Sequence, residues 1–218
     1  MERDSLVRRE LAQAANLEVG TAITKEQLKL LKLDVEFRQL NHNLECAKDF
    51  HNKFYLFTDA IDLRNVTNCI EVLGVWDRLD AKCDIELAIH SSGGGALPGM
   101  MLFDYIGRLR RTHKVTTSVL GYAASMAAIV LQAGTHRVIG RESSIMIHEI
   151  SAQAVGKIGE IEDVTSFLHS LQNRIVNIFV SRSAGRIDTA TFIHNWQRRE
   201  WWLDSNEMLR WGFVDEVI

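Results

Sequence analysis

The sequence holds a single proline, Pro98, and three cysteines. One proline excludes a proline-rich linker. Cys46, Cys69 and Cys83 are an odd set without C-x-x-C spacing. That argues against both a disulfide framework and a thiolate zinc site, and the three read as free thiols in the core or near the surface. No long apolar run is present. The longest, around Met126 to Leu131, falls far short of the roughly 20 residues a bilayer span needs, so no membrane association is expected. The opening stretch MERDSLVRRELAQAANLEVG is charged throughout and lacks the apolar core of a secretory signal, which predicts a cytoplasmic protein. Lys and Arg number 25 against 28 Asp and Glu, a net charge of −3. Neither sign forms a long block, so the basic footprint of a nucleic-acid binder is missing and no nucleic acid is expected.

What is present is an alternation. Up to about residue 50 the chain carries helix formers mixed with charges, with Leu28, Leu31 and Val35 at helical spacing, which predicts an N-terminal helical arm. From KFYLFTD onward short β-rich runs alternate with helical patterns, the signature of an α/β domain with a largely parallel sheet. Strands are predicted at 54–57, 85–89, 115–121, 136–139 and 144–150, with a closing strand in FVDEV. Helices are predicted over 63–79, from Pro98 to about His113, over AASMAAIVLQAG, from Ile158 to just before Gly185, after Asp188 as a cap, and from the capping-box pair Asp204 and Glu207.

Within this frame a lone serine, Ser125, sits among Ala123, Ala124, Ala127 and Ala128. A helix start leaves backbone N–H groups unsatisfied and favours negative charge, and the small neighbours let a substrate backbone approach the hydroxyl. The motif alone is weak, and it equally describes a serine packed in a helix. It is not G-x-S-x-G, because alanines occupy the glycine positions, which argues against an α/β-hydrolase. A serine needs a base, and His148 at the end of SIMIH is the candidate among eight histidines. The glycine run Gly93, Gly94 and Gly95 allows a backbone N–H to face a substrate oxygen. It could thus furnish half of an oxyanion hole, with the N–H of Met126 as the other half. Spacing alone does not choose the acid that orients the imidazole.

In order, IHSSGG, GYAASMAA, IMIHE and REWWLDSNEMLRWGFVDEVI resemble ClpP-type serine peptidases over Phe54 to Ile218. The resemblance implies a ClpP/crotonase-like α/β fold of stacked ββα units with a protruding handle strand and helix, and divides the chain into an arm, 1–52, and a peptidase domain, 53–218. It makes Ser125 the nucleophile, His148 the general base, and Gly94 and Met126 the oxyanion-hole residues, with Gly93 and Gly95 at the substrate. The family aspartate is replaced here by Glu200, a departure that keeps the charge; Glu149 and Asp204 are reserves. Ser92 stands where the family usually has proline, and the arm does not match the family's axial-loop segment. The resemblance further implies heptameric rings, stacked into a tetradecamer, that degrade unfolded protein to short peptides without metal or cofactor, with an AAA+ unfoldase as partner.

Other readings stay open. A phage-type relative would use the same chemistry on scaffold or capsid protein. A signal-peptide-peptidase relative needs a lysine base, and only Lys157 follows Ser125. An acyl-CoA-binding crotonase relative shares the core without the nucleophile, and an inactive ring subunit would retain the assembly alone.

Overall fold

The computed structural model describes Arg9 and residues 25–218. Arg9 apart, the stretch of the predicted arm before Lys25 lies outside the described residues. The chain divides into two units, Met1–Asn52 and Lys53–Ile218. The first carries helix α1, Lys25–Cys46. Leu28 is half-buried and Val35 buried, but Leu31, expected on the same face, is exposed. Seven residues return a helix to nearly the same direction, whereas three leave it by about 60°.

In the second unit β1 (Phe54–Phe57) leads into α2 (Leu63–Leu79). Asp62 starts that helix by accepting the Asn65 N–H at 2.8 Å, which satisfies one of the donors a helix start leaves open. Val66, Cys69, Leu73 and Trp76 form its buried face. Next come β2 (Ile85–Ser91), α3 (Ala96–Leu109), β3 (Val115–Ala124), α4 (Met126–Leu131), β4 (His136–Ile139) and β5 (Ser144–Ile147). The remainder is α5 (Ile158–Arg182), α6 (Thr189–Trp196), β6 (Trp201–Asp204), α7 (Ser205–Arg210) and β7 (Glu216–Val217). Strands run β1-β2-β3-β4-β7 in one sheet, all parallel. Parallel neighbours need crossovers, and the helices supply them. The outcome is the α/β class expected.

The feature that builds the site is a fork in β3. Its first half, Thr116–Val119, pairs with β4, and its last residues, Tyr122–Ala124, pair with β5. Gly121 sits at the fork with φ 88°, and a Cβ there would stand 2.5 Å from Nδ1 of His90. β5 in turn pairs antiparallel with β6, a strand that WWLD, without alternation, did not announce. Among the described residues 151–157 hold no strand, so the expected handle is α5 alone. Residues 158–167 of that helix are exposed, and burial begins at Leu171.

The core is continuous from α2 and α3 across the sheet to an aromatic cluster. Phe179 of α5 stacks on Phe192 of α6 at 5.3 Å and meets Phe213 edge-on at 5.1 Å, and Trp201 lies against Phe192 and Trp211. Burial of each such ring contributes about 2 kcal/mol. The three cysteines are free. Burial pushes the Cys69 thiol up to about 12, so it stays protonated and inert.

One polar network runs from this core to the surface. Arg137 of β4, its side chain 5% exposed, donates Nε to Asp215 Oδ2 at 3.0 Å and Nη1 to Gln132 Oε1 at 2.8 Å. Burial works to raise the Asp215 carboxyl, but the hydrogen bonds from Arg137 outweigh it and hold the group below its usual value. Its contribution to stability is therefore complete above the unfolded value of about 3.9 and is lost as pH falls through the lower folded value. Asp215 itself is about one third exposed, so water screens the pair, and Asp215→Asn is expected to destabilise the protein by about 1 kcal/mol. Urea unfolding tests this, and an unchanged midpoint would contradict it.

Candidate active site

Ser125 occupies a single-residue hinge between β3 and α4. Its backbone, φ 55° and ψ −124°, lies outside the regions open to ordinary L-residues, a strain that costs about 1–3 kcal/mol and persists only where the surroundings impose it. They do so here from two sides. The Ser125 N–H donates to Met146 O of β5 at 2.8 Å, and the Ser125 carbonyl already accepts the Ala128 N–H at 3.1 Å. The sequence pattern predicts Ser125 inside a helix after a strand ending at Gly121. Instead Ala123 and Ala124 are strand residues paired to β5, and the serine is thrust out at a strand-to-helix elbow built without the flanking glycines of G-x-S-x-G.

Because β5 is the neighbour of β3 at this point, the residue just past its end comes to the same place. His148 follows Ile147, and its Nε2 lies 2.7 Å from Ser125 Oγ. For the hydroxyl to donate to Nε2, the ring proton must be on Nδ1. Both side chains are half-buried at the wall of a cleft of about 140 Å³, which Gly94, Gly95, Met126, Ile129 and Ile175 also line.

The glycine loop is held rigidly. Ser91, 1% exposed, donates its hydroxyl to Asp59 O at 2.6 Å and accepts the Gly93 N–H at 3.1 Å. Ile61 takes the loop from the other side: its N–H donates to Gly93 O at 2.8 Å, and its carbonyl accepts the Gly95 N–H at 2.7 Å. Gly94 lies between these two bonds, and its own N–H has no acceptor among the described residues. The same holds for the N–H of Met126. Gly93 is buried behind the elbow, where a Cβ would stand 2.8 Å from the Ser125 Cβ. It supports the serine and does not line the cleft, while Gly95 lines the cleft with its N–H already engaged. The Met126 side chain is buried against Gly99 of α3, where any Cβ would collide with it. Ser91, Ile61 and Gly99 went unnoticed in the sequence. Ser91 carried a faint signal as a serine ending a strand before glycines; the other two carried none.

The carboxylates separate by geometry. Glu149 accepts Gln172 Nε2 of α5 at 3.0 Å and the Arg198 N–H at 2.7 Å, and Asp204 caps α7 by accepting the Glu207 N–H at 2.8 Å. Both are engaged away from His148. Glu200 directly precedes β6. The antiparallel register ends on the pair Ile147 and Trp201, so His148 and Glu200 are the residues that adjoin that last pair. The Glu200 side chain is exposed and, among the described residues, makes no hydrogen bond to His148. Among the described residues no three His, Cys, Asp or Glu side chains are grouped to hold a metal ion, and no helix is long and apolar enough to cross a membrane.

A hydroxyl in contact with an imidazole, beside two unengaged amides at the head of a cleft, can carry out acyl transfer. Comparison with known proteins agrees with that chemistry. Residues 44–218 match the family model described as Clp protease. A Dehalococcoides mccartyi protein is 31% identical over 144 residues, covering 65% of this chain and 70% of the relative. Proteins of Bacteroides thetaiotaomicron and Bacteroides fragilis are 27% and 29% identical over 198 residues, 90% of this chain and 83% and 88% of theirs. All three are named ATP-dependent Clp protease proteolytic subunit. With four fifths of its length inside the family match, the chain belongs to the Clp protease family and is a serine-type, ClpP-like peptidase.

Proposed function

We propose that this protein is a cytoplasmic endopeptidase that cuts unfolded protein into short peptides. It works inside a chamber of heptameric rings formed by residues 53–218, and an ATP-dependent unfoldase feeds it. The single observation that carries the reading is the 2.7 Å contact between Ser125 Oγ and His148 Nε2 at the head of the cleft. The names of the relatives support the ATP-dependent partner.

Ser125 Oγ attacks the scissile carbonyl carbon as His148 Nε2 takes its proton. The carbonyl oxygen, now an anion, accepts hydrogen bonds from the N–H groups of Gly94 and Met126, which have no other acceptor among the described residues. His148 passes its proton to the leaving amine and the C–N bond breaks. A water then loses a proton to His148 and attacks the acyl carbon, and the Ser125 oxygen recovers its hydrogen as the peptide leaves. Glu200, just before β6, turns inward to accept a hydrogen bond from the Nδ1–H of His148 and steady the imidazolium, the proton remaining on the ring. Its extra methylene relative to aspartate lengthens that reach.

A fluorophosphonate probe tests the reading. The Ser125 oxygen displaces fluoride at phosphorus, so the probe mass appears on the peptide bearing Ser125. Labelling is expected to vanish in Ser125→Ala and to slow in Glu200→Gln, with native mass spectrometry giving about seven or fourteen reactive copies. Undiminished labelling of Ser125→Ala would falsify the assignment.

A further inference from the structure

Helix α1 has two apolar faces, and only one of them is covered. Leu28, Val35 and His42, seven residues apart, form a line that is half-buried or buried. Leu30, Leu33, Phe37, Leu40 and Leu44 form a second line, and every one of them is between 51% and 63% exposed. Their spacing alternates three and four without a break. That is the a/d pattern of a two-stranded coiled coil, with Leu30, Phe37 and Leu44 at a and Leu33 and Leu40 at d.

Five large side chains in one exposed stripe exceed what a lone surface helix presents to water. Flanking charges identify the partner. In this heptad Lys29 falls at g and Asp34 at e, the pair that meets across a parallel coiled coil. A second copy thus sets Lys29 against Asp34 of that copy, and by symmetry the same contact forms on the other side. Asp34 already pairs with Arg38 of its own helix at 2.7 Å, and a carboxylate has room for a second cation. Lys and Arg equal Asp and Glu in number along α1, so the helix lacks the basic excess that would draw it to an anionic lipid surface. The family match begins at residue 44, so nearly all of this stripe lies outside the part of the chain the family accounts for.

We propose that α1 pairs with α1 of a second copy of this chain as a parallel, in-register coiled coil through the Leu30–Leu44 stripe. It is an association device separate from the peptidase domain.

In such a pair each d residue faces its own counterpart, close enough for a disulfide. Full-length protein carrying Leu33→Cys is expected to give a covalent dimer in more than half of the chains under mild oxidation, read on a non-reducing denaturing gel. The unsubstituted protein and Lys32→Cys, one position away on the outer face, should stay monomeric on the same gel. Adding Leu40→Asp to Leu33→Cys is expected to cut the dimer band at least fivefold, and because both positions are exposed the fold tolerates the changes. Three results overturn the proposal: no dimer from Leu33→Cys, as when the stripe is covered by the same chain or pairs antiparallel; equal bands from positions 32 and 33; or a band indifferent to Leu40→Asp.

Discussion

Ser125→Ala and His148→Ala are each expected to lower peptide turnover by about 10⁴-fold or more, and the double variant by little beyond either one. The reason is that the two side chains act as a unit. A serine hydroxyl near neutral pH is almost wholly protonated, so its nucleophilicity depends on transfer of that proton to the imidazole 2.7 Å away. Without the base the hydroxyl is a weak nucleophile; without the hydroxyl the base has nothing to activate but water. Steady-state turnover of a fluorogenic peptide by the three variants decides the matter. If the losses multiply in the double variant, the residues act independently and the proposed mechanism is wrong. Folding is checked alongside, and it should be intact, since Ser125→Ala removes one oxygen and the hinge is held by backbone bonds to Met146 and Ala128.

The second large effect is expected at Gly94. Its φ of 151° is one that L side chains rarely adopt. A Cβ there would meet the Ile61 carbonyl oxygen and stand 2.9 Å from the Ile61 nitrogen. Those backbone atoms belong to the pair of hydrogen bonds that clamps the loop, so they have no flexible end to swing aside. Gly94→Ala must therefore displace the loop and with it the amide assigned to the oxyanion. Losing one such donor costs about 3 kcal/mol of transition-state stabilisation, or about 10²-fold in kcat. The loss should fall on kcat far more than on KM, because the donor engages charge that exists only in the transition state. The rate of probe labelling at Ser125 should drop with it, since the attack on phosphorus also builds charge on oxygen. A Gly94→Ala enzyme with unchanged kcat would remove Gly94 from the oxyanion role.

Several elements are legible in the sequence alone. Helix α2 matches its predicted span residue for residue, because Val66, Leu73 and Trp76 repeat with the helical period and Asp62 supplies a side-chain cap. The Asp204–Glu207 capping box, the Asp188 cap and strand β4 are similarly readable from local chemistry. Where local preference and pairing disagreed, pairing won. Ala123 and Ala124 favour helix by propensity, yet their backbone groups are claimed by β2 and β5 on either side, which lengthened β3 and shortened the following helix. FVDEV contributes only Glu216 and Val217 to the sheet, because the Phe213 N–H is taken by Met208 O and its ring by the aromatic cluster. β6 had no alternation to betray it; its membership rests on its antiparallel partner.

The chain itself determined which chemical groups are on hand: one serine amid alanines, a histidine closing an apolar run, consecutive glycines, and an order of motifs that places it in a peptidase family. Tertiary structure decided which of those groups meet. Ser125 and His148 touch because β3 forks and exchanges β4 for β5 just before the serine. Glu200 directly precedes β6 and His148 directly follows β5, and the antiparallel register ends on the pair Ile147 and Trp201 beside them, whereas Glu149 and Asp204 are engaged by other partners. Strand register is a long-range property. A slip of one residue turns every side chain to the other face, and the packing that forbids the slip is contributed by residues distant in sequence from those it aligns.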